Sequence, residues 1–278
     1  MGTDFDAARF KAMERAGFNR IARQYDEAAH LRASLQDALI AAAAPAPGER
    51  WLDLASGPAL LARAMAPRLA PDGFMLATDI ADGMLAHARA RLTRDEGAVL
   101  FAAADAEQLC LPDACFDGVS IGLGLFVFPH PGQALAEIHR VLRPGGRIAL
   151  SVWGPAGSVP LIERAQQCIA RLLPQPRVAR PSVFRFGDPA VLGALLASAG
   201  FSGPTFAPHA FGCDFADAGA YWDAFLALAG GATEALSRLP PERQAALRAA
   251  VADDLADPQH GTGYRVDAAT LIATARRT

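Results

Sequence analysis

The chain has 278 residues, of which 52% are apolar and 20% charged; this is the balance of a folded globular chain and argues against extensive disorder. The formal net charge is −3, with no dense Lys/Arg tract, which argues against a nucleic-acid backbone or an anionic membrane as the main partner. The longest apolar stretches, LIAAAAPAP and VSIGLGLFVFP, are too short or too broken by proline to span a bilayer.

The N-terminal stretch MGTDFDAARFKAMERAGF is amphipathic and lacks the charged-then-apolar layout of a secretory signal. Cys110, Cys115, Cys168 and Cys213 form no CxxC pair and no metal-type spacing with histidine, so idle or buried thiols in a reducing cytoplasm are expected. Residues 4 to 44 read as two or three helices. From about 50 to 153, strand-length apolar runs (RWLDLA, GFMLATD, AVLFAAA, FDGVSIGL, GRIALSVW) alternate with amphipathic helical runs (PALLARAMAPRL, DGMLAHARARLT, PGQALAEIHRVL). Short strands apolar on both faces suit a parallel sheet between helices, so the predicted fold class is α/β, doubly wound and Rossmann-like. Pro144-Gly145-Gly146 is expected to close the helix ending at Leu142 and turn the chain into the next strand.

Beyond Trp153 the alternation fades. VPLIERAQQCIARLL reads as a helix and PQPRVARPSVFRF as a loop rich in proline and arginine. FGDPAVLGALLASAGF reads as a helix with Asp188 as N-cap and Pro189 in its first turn. GPTFAPHAFGCDF is a poorer strand candidate, residues 217 to 257 look helical, and YRVDAATLIATARR reads as a last strand. The expected organisation is an N-terminal helical cap (1–44), a binding core (45–153), and helical insertions with the final strands of the same sheet (154–278).

The chemistry concentrates at strand ends. WLDLA runs into Ser56-Gly57-Pro58 and then a helix, an arrangement that brings backbone N–H groups up to a ligand. Gly57 permits close backbone approach, and Ala55 and Ala59 are the next smallest residues. Asp53 lies on that strand, Asp79 ends the second and Asp105 follows the third. Three carboxylates in register at the carboxyl ends of successive strands face the crevice where such sheets bind ligands. Asp79 could hold both ribose hydroxyls of an adenosine ligand, and Asp105 its adenine amino group. Helix capping is the alternative for each one.

WLDLASGPA, ATDIADGMLAHARARL, AAADAEQLCLPDACFDGVSIGLGLFVFP and ALAEIHRVLRPGGRIALSVW together resemble successive motifs of class I S-adenosylmethionine-dependent methyltransferases. The likeness is strongest to the methyltransferase type 11 group of ubiquinone and menaquinone biosynthesis, over about residues 45 to 153. The resemblance implies a seven-stranded sheet whose last strand is antiparallel, with S-adenosyl-L-methionine as cofactor. It implies that Asp53, Ala55, Ser56, Gly57 and Ala59 surround the methionine part. Asp79 would then hold the ribose, with Ile80 and Met84 near the adenine, and Asp105 and Ala106 would meet the adenine edge. Ser120, Ile121 and Gly122 would line the sulfonium side, and Tyr25 would cover the cofactor.

Two departures matter. The family's glycine-rich turn usually reads D-x-G-x-G-x-G, whereas here it reads Asp53-Leu-Ala55-Ser-Gly57-Pro-Ala59; alanine suits such a turn at negative φ, so a slightly displaced loop is expected. His130 stands where the family commonly carries Asp, either as an exposed residue before a helix or as a general base or substrate contact.

Methyl transfer relies on orientation and water exclusion and needs a base only if the acceptor must lose a proton. The expected acceptor is a small molecule, met by Phe18, Phe126 and Trp153, with Tyr25, Phe128 and His130 nearby. Phe184, Phe186, Tyr221, Trp222 and Phe225 are lid candidates or packing of a small helical subdomain. Arg177, Arg180 and Arg185 are contacts for an anionic group or parts of an exposed loop. A homodimer is left open. Two rivals stand beside methyl transfer: a non-methylating or regulatory protein of the same fold, motivated by the two lost glycines, and a nicotinamide-dependent oxidoreductase, which would want G-x-G-x-x-G after the first strand.

Overall fold

The computed structural model describes residues 5–174, 180–256 and 264–278. Two helices open the chain, α1 (Ala7–Glu27) and α2 (Ala33–Ala43), joined by a 3-10 turn at Ala28–Arg32. Asp6 caps α1 by accepting from the Arg9 N–H. The alternating core follows as predicted: β1 (Arg50–Leu54), α3 (Leu60–Leu69), β2 (Phe74–Asp79), α4 (Asp82–Arg91), β3 (Val99–Ala103), β4 (Phe116–Gly122), α5 (Pro131–Val141) and β5 (Leu142–Trp153). The remainder comprises α6 (Pro160–Leu172), α7 (Pro189–Ser198), β6 (Phe201–Phe215), α8 (Ala218–Leu228), α9 (Gly230–Leu236), α10 (Pro241–Leu255) and β7 (Tyr264–Arg277).

The seven strands lie in one sheet of order β3-β2-β1-β4-β5-β7-β6. The first five pair in parallel, and β7 is antiparallel to both of its neighbours. The strand order reverses between β1 and β4, the place where open α/β sheets receive ligands at their carboxyl ends. Both faces are covered. Leu52, Leu54, Val119, Ile121, Ile148 and Leu150 pack one way with α5 and α7, while Trp51, Met75, Ala77 and Val99 pack the other way against α2 and α3. Asp53 lies two residues beyond Trp51, and side chains alternate along a strand; it therefore points to the α2–α3 side.

Three details refine the sequence reading. Asp188 accepts from the Ala190 N–H and caps α7 as expected. Pro144-Gly145-Gly146 lies inside the β5 span, at a register shift against β4 with Gly145 at φ +77°; the turn expected there is a strand irregularity. The poor strand candidate at GPTFAPHAFGCDF becomes β6, fifteen residues long. It tolerates Pro204 and Pro208 because it is the sheet edge and pairs only with β7. Among the described residues no helix is long and apolar enough to cross a membrane.

Candidate functional site

The turn after β1 carries the left-handed geometry of a glycine loop. Ala55, Gly57 and Ala59 have φ of +51°, +54° and +57°. The negative φ expected of alanine is not adopted. Neighbouring structure overrides the local preference: the Ser56 N–H donates to the Thr78 carbonyl (3.0 Å) and the Ala59 N–H to the Ser56 carbonyl (2.9 Å). The Gly57 N–H donates to Asp79 Oδ2 at 2.8 Å. An alanine in this region costs about 1–2 kcal/mol, so the loop holds its shape against local strain. Ala59 precedes α3 with no side-chain cap, which leaves the helix N-terminus with unsatisfied backbone donors.

Asp53 is 1% exposed. Ser120, its register partner on β4, donates to Asp53 Oδ1 at 2.7 Å. Asp53 Oδ2 and Ser56 Oγ are buried without a hydrogen-bond partner. Burial pushes the Asp53 carboxyl up to about 7, against the Ser120 hydrogen bond and the nearby Ala62 amide, and the Asp79 charge adds to the rise. A buried acceptor lacking a donor is costly. It marks a place built for a group from outside the chain.

Asp79 has both oxygens engaged, Oδ2 by Gly57 and Oδ1 by the Ala81 N–H at 2.8 Å. Its burial raises its pKa against those two amides. The alternative raised from sequence, that Asp79 caps the following helix, is not realised, since α4 has no side-chain cap; Asp79 instead ties the Gly57 turn to the Ala81 amide. Asp105 lies beyond β3 and meets Lys11 of α1 (Nζ to Oδ2, 2.7 Å). The same ammonium reaches Glu107 Oε2 at 2.6 Å. Glu107 also accepts from the His130 N–H (2.6 Å) and lies 3.0 Å from His130 Nδ1. Its burial opposes ionisation, but Lys11 and His130 together hold its pKa below the usual range. Lys11 and Glu107 escaped sequence reading because their pairing spans 96 positions and neither belongs to a local motif.

A cleft opens between the cap and the turn. Asp53, Ala55, Ser56, Gly122 and Ser151 supply its core wall, and Tyr25, Arg32, Gln36 and Leu39 its cap wall. Tyr25 stands over the turn, since a Cβ built on Gly57 would lie 3.6 Å from its Cε1. Glycine takes the φ of +54° there without the strain that Ala55 and Ala59 bear. The Arg32 guanidinium stacks on the Tyr25 ring at 4.2 Å from its centroid and donates to its hydroxyl at 2.5 Å.

Other expected site residues spread more widely. Ile80 is half-buried beside Asp79, whereas Met84 packs under α1 with Ile21, Ala22 and Ala81. Ala106 and Ile121 join the large core cluster. Phe18 is half-buried on Tyr25, with ring centroids 5.9 Å apart. Phe126 and Trp153 are 7% and 5% exposed within the core cluster and do not line the cleft. His130, the candidate base, lies outside that lining too, as the residue preceding α5. Tyr221, Trp222 and Phe225 pack the helical subdomain, with Phe186 in the same cluster and Phe184 at its margin. Arg180 pairs with the buried Glu14; Arg185 donates to the Phe128 carbonyl. Arg177 lies outside the described residues. Among the described residues no group of side chains is arranged to hold a metal ion.

Comparison with known proteins places this architecture. Residues 52–150 match the family described as a methyltransferase domain. The chain is 50% identical over 103 residues to the ubiquinone/menaquinone biosynthesis C-methyltransferase UbiE of Bordetella avium, covering 37% of this chain and 40% of the relative. It is 35% identical over 167 residues to the same enzyme of Cupriavidus metallidurans, covering 55% of this chain and 69% of that one. The chain thus spans as little as two fifths of the length of the curated relatives it matches. In fold, the YcgJ protein of Bacillus subtilis superposes with a TM-score of 0.58 at 18% identity, over 87% of this chain and 98% of that one. On these matches, the chain belongs to the class I S-adenosylmethionine-dependent methyltransferases.

Proposed function

We propose that this chain binds S-adenosylmethionine in the Asp53 cleft and transfers its methyl group to a small-molecule acceptor. The observation that carries the reading is the pairing of an unpartnered, fully buried carboxylate oxygen with a glycine-type turn. An ammonium such as that of the cofactor's amino-acid end would satisfy Asp53 Oδ2. The residues therefore fit the group. Ala55, Ser56, Gly57 and Ala59 frame its methionine part, Asp79 with Ile80 its ribose, and Asp105 and Ala106 its adenine edge. Gly122 lines the sulfonium side, while Ser120 acts through Asp53 and Ile121 and Met84 give packing support. Tyr25 closes the top.

The bound cofactor supplies an activated methyl on a sulfonium. What the chain contributes is orientation and exclusion of water, which account for much of the acceleration of an in-line displacement. His130 stands apart from the cleft lining and is tied to Glu107, so the reading assigns it to anchoring the segment before α5. The relatives' quinone-pathway acceptors do not transfer to this chain, because the domain match ends at residue 150, before the insertion helices. The four cysteines are free thiols, which suits work in a reducing cytoplasm. The retained loop backbone removes the motive for a non-methylating role that the two alanines had raised.

Calorimetric titration with S-adenosylmethionine tests the reading. Saturable micromolar binding is expected, and Asp79→Asn should weaken it by about 1–3 kcal/mol through lost hydrogen bonding to the ribose and to the turn. No binding at high micromolar cofactor overturns the function. An unchanged dissociation constant in the variant overturns the placement of the adenosine.

A further inference from the structure

Helix α1 lies lengthwise along the crevice at the strand ends. Tyr25, near its C-terminus, stands over Gly57 beyond β1. Asn19 accepts from the Gly83 N–H in the first turn of α4, and Lys11 reaches Asp105 beyond β3. Lys11, Phe18 and Tyr25 recur at seven-residue spacing, which keeps them near one face of the helix. The outer two lie about 21 Å apart along its axis.

The contact at Asp105 is a shared one. Asp105 Oδ1 accepts from the Glu107 N–H at 3.0 Å, and Oδ2 from Lys11 Nζ at 2.7 Å. The same ammonium lies 2.6 Å from Glu107 Oε2, so two carboxylates two residues apart are joined through one cation. Burial works against the Lys11 charge, but the bonds to Asp105 and Glu107 outweigh it and raise its pKa. Glu107 has a second anchor in the His130 N–H and a side chain only 5% exposed. The Asp105 side chain is 33% exposed. Without the ammonium, two like charges would face each other, and Asp105 is the one free to turn away. With it, Asp105 keeps one orientation and an open side. A carboxylate offers four lone-pair sites, so both oxygens retain capacity for a further donor.

We propose that Lys11 is a positioning residue for nucleobase recognition: by fixing Asp105, it makes the site select a 6-amino purine over a 6-oxo purine. The amino group donates a hydrogen bond to the carboxylate, whereas the oxo group presents a second acceptor to it. A site built to hydrogen-bond one group rejects the analogue that lacks it. This rests on the placement of the adenine edge at Asp105 given above. Lys11 belongs to α1, outside the matched residues 52–150, so base selectivity would depend on the cap as well as on the sheet.

The test compares S-adenosylhomocysteine with S-inosylhomocysteine, its 6-oxo counterpart. Dissociation constants are measured by calorimetry for the wild-type chain, Lys11→Met, Lys11→Arg and Arg15→Met. The wild type is expected to prefer the adenosyl ligand by about ten- to hundred-fold. Lys11→Met should cut that preference by roughly five-fold or more, chiefly by weakening the adenosyl ligand, and Lys11→Arg should restore most of it. Arg15→Met breaks the neighbouring cap contact to Asp82 and should leave the preference unchanged. The ratio is the informative quantity, because loosening the cap in general lowers both affinities together.

A preference that Lys11→Met leaves unchanged, or increases, overturns the assignment; an increase would mean that Lys11 itself meets a 6-oxo group. An equal fall in Arg15→Met also overturns it, since selectivity would then follow cap docking as a whole. A wild type that binds both ligands equally overturns base selection while leaving cofactor binding intact. A wild type that binds neither overturns the cofactor reading as well.

Discussion

The two walls of the cleft are held by different forces. The core wall, from Asp53 to Ala59 with Asp79 and Ser120, is fixed by strand register and backbone hydrogen bonds, firmly enough to keep two alanines at positive φ. In the cap wall, α2 is buried against the sheet through Leu35, Leu39, Ile40 and Ala43, whereas α1 is attached largely through side chains: Lys11 to Asp105 and Glu107, Asn19 to the Gly83 N–H, and Asp26 to His87 and Arg91. A small apolar cluster under Ile21 and Ala22 and the contact with α9 complete it. Parallel-strand pairing fixes position regardless of side-chain detail, whereas partly exposed ion pairs are individually weak and screened by salt.

The sharpest way to break the core wall is through its buried charge. Asp53→Asn keeps the shape and removes the carboxylate, and it should weaken S-adenosylmethionine binding by roughly ten- to a hundred-fold. In the wild type, binding should tighten as pH rises through about 7, where Asp53 ionises; in the variant it should be flat. Stability should move the opposite way. The folded-state pKa of about 7 lies above the ordinary value of 3.8, so no penalty exists below about pH 4, and it grows until the folded carboxyl ionises. Above pH 7 the Asn variant should therefore be more stable than the wild type, by a few kcal/mol. Denaturant midpoints across pH 4 to 9 that run parallel in the two proteins would remove this account.

The cap wall is best broken at Gly17. A Cβ there would lie 2.1 Å from the Gly230 carbonyl oxygen, a backbone contact that cannot swing aside. Gly17→Ala should destabilise the chain by about 1–3 kcal/mol through overpacking. Hydrogen exchange should show the loss concentrated in α1 and α9, with β1 and β4 still protected. Uniform loss across the sheet would mean that the two walls are one cooperative unit.

The smallest effect sharpens the core side. Ala55→Gly removes the cost of a left-handed alanine but frees the unfolded chain. A net gain of about 0.5–1 kcal/mol is expected, a rise of roughly 1–4 °C in Tm for a chain of this size. A fall in Tm would show that the Ala55 methyl, packed toward Gly124, contributes more than the backbone conformation costs.

The alternating pattern from residue 50 to 153 was legible because each strand and helix there declares its own period, and because Asp53, Asp79 and Asp105 sit at fixed offsets from strand ends. The Asp188 cap was legible for the same local reason. β6 was obscured by two prolines that only an edge position tolerates, a property of the sheet rather than of the segment. The alanines at positions 55 and 59 were misjudged because local preference, taken alone, ignores what Thr78 and Asp79 impose across 22 or more positions.

By itself, then, the sequence determined the α/β class, the order of the core elements and the carboxylates at the strand ends, since those follow from short-range periodicity and turn chemistry. Only the tertiary structure decided that Asp53 Oδ2 lacks a donor, that Lys11 and Glu107 join Asp105 and His130, and that Arg32 faces the turn from the cap. Those relations join residues far apart in the chain, and no local spacing encodes which buried atom is left without a partner.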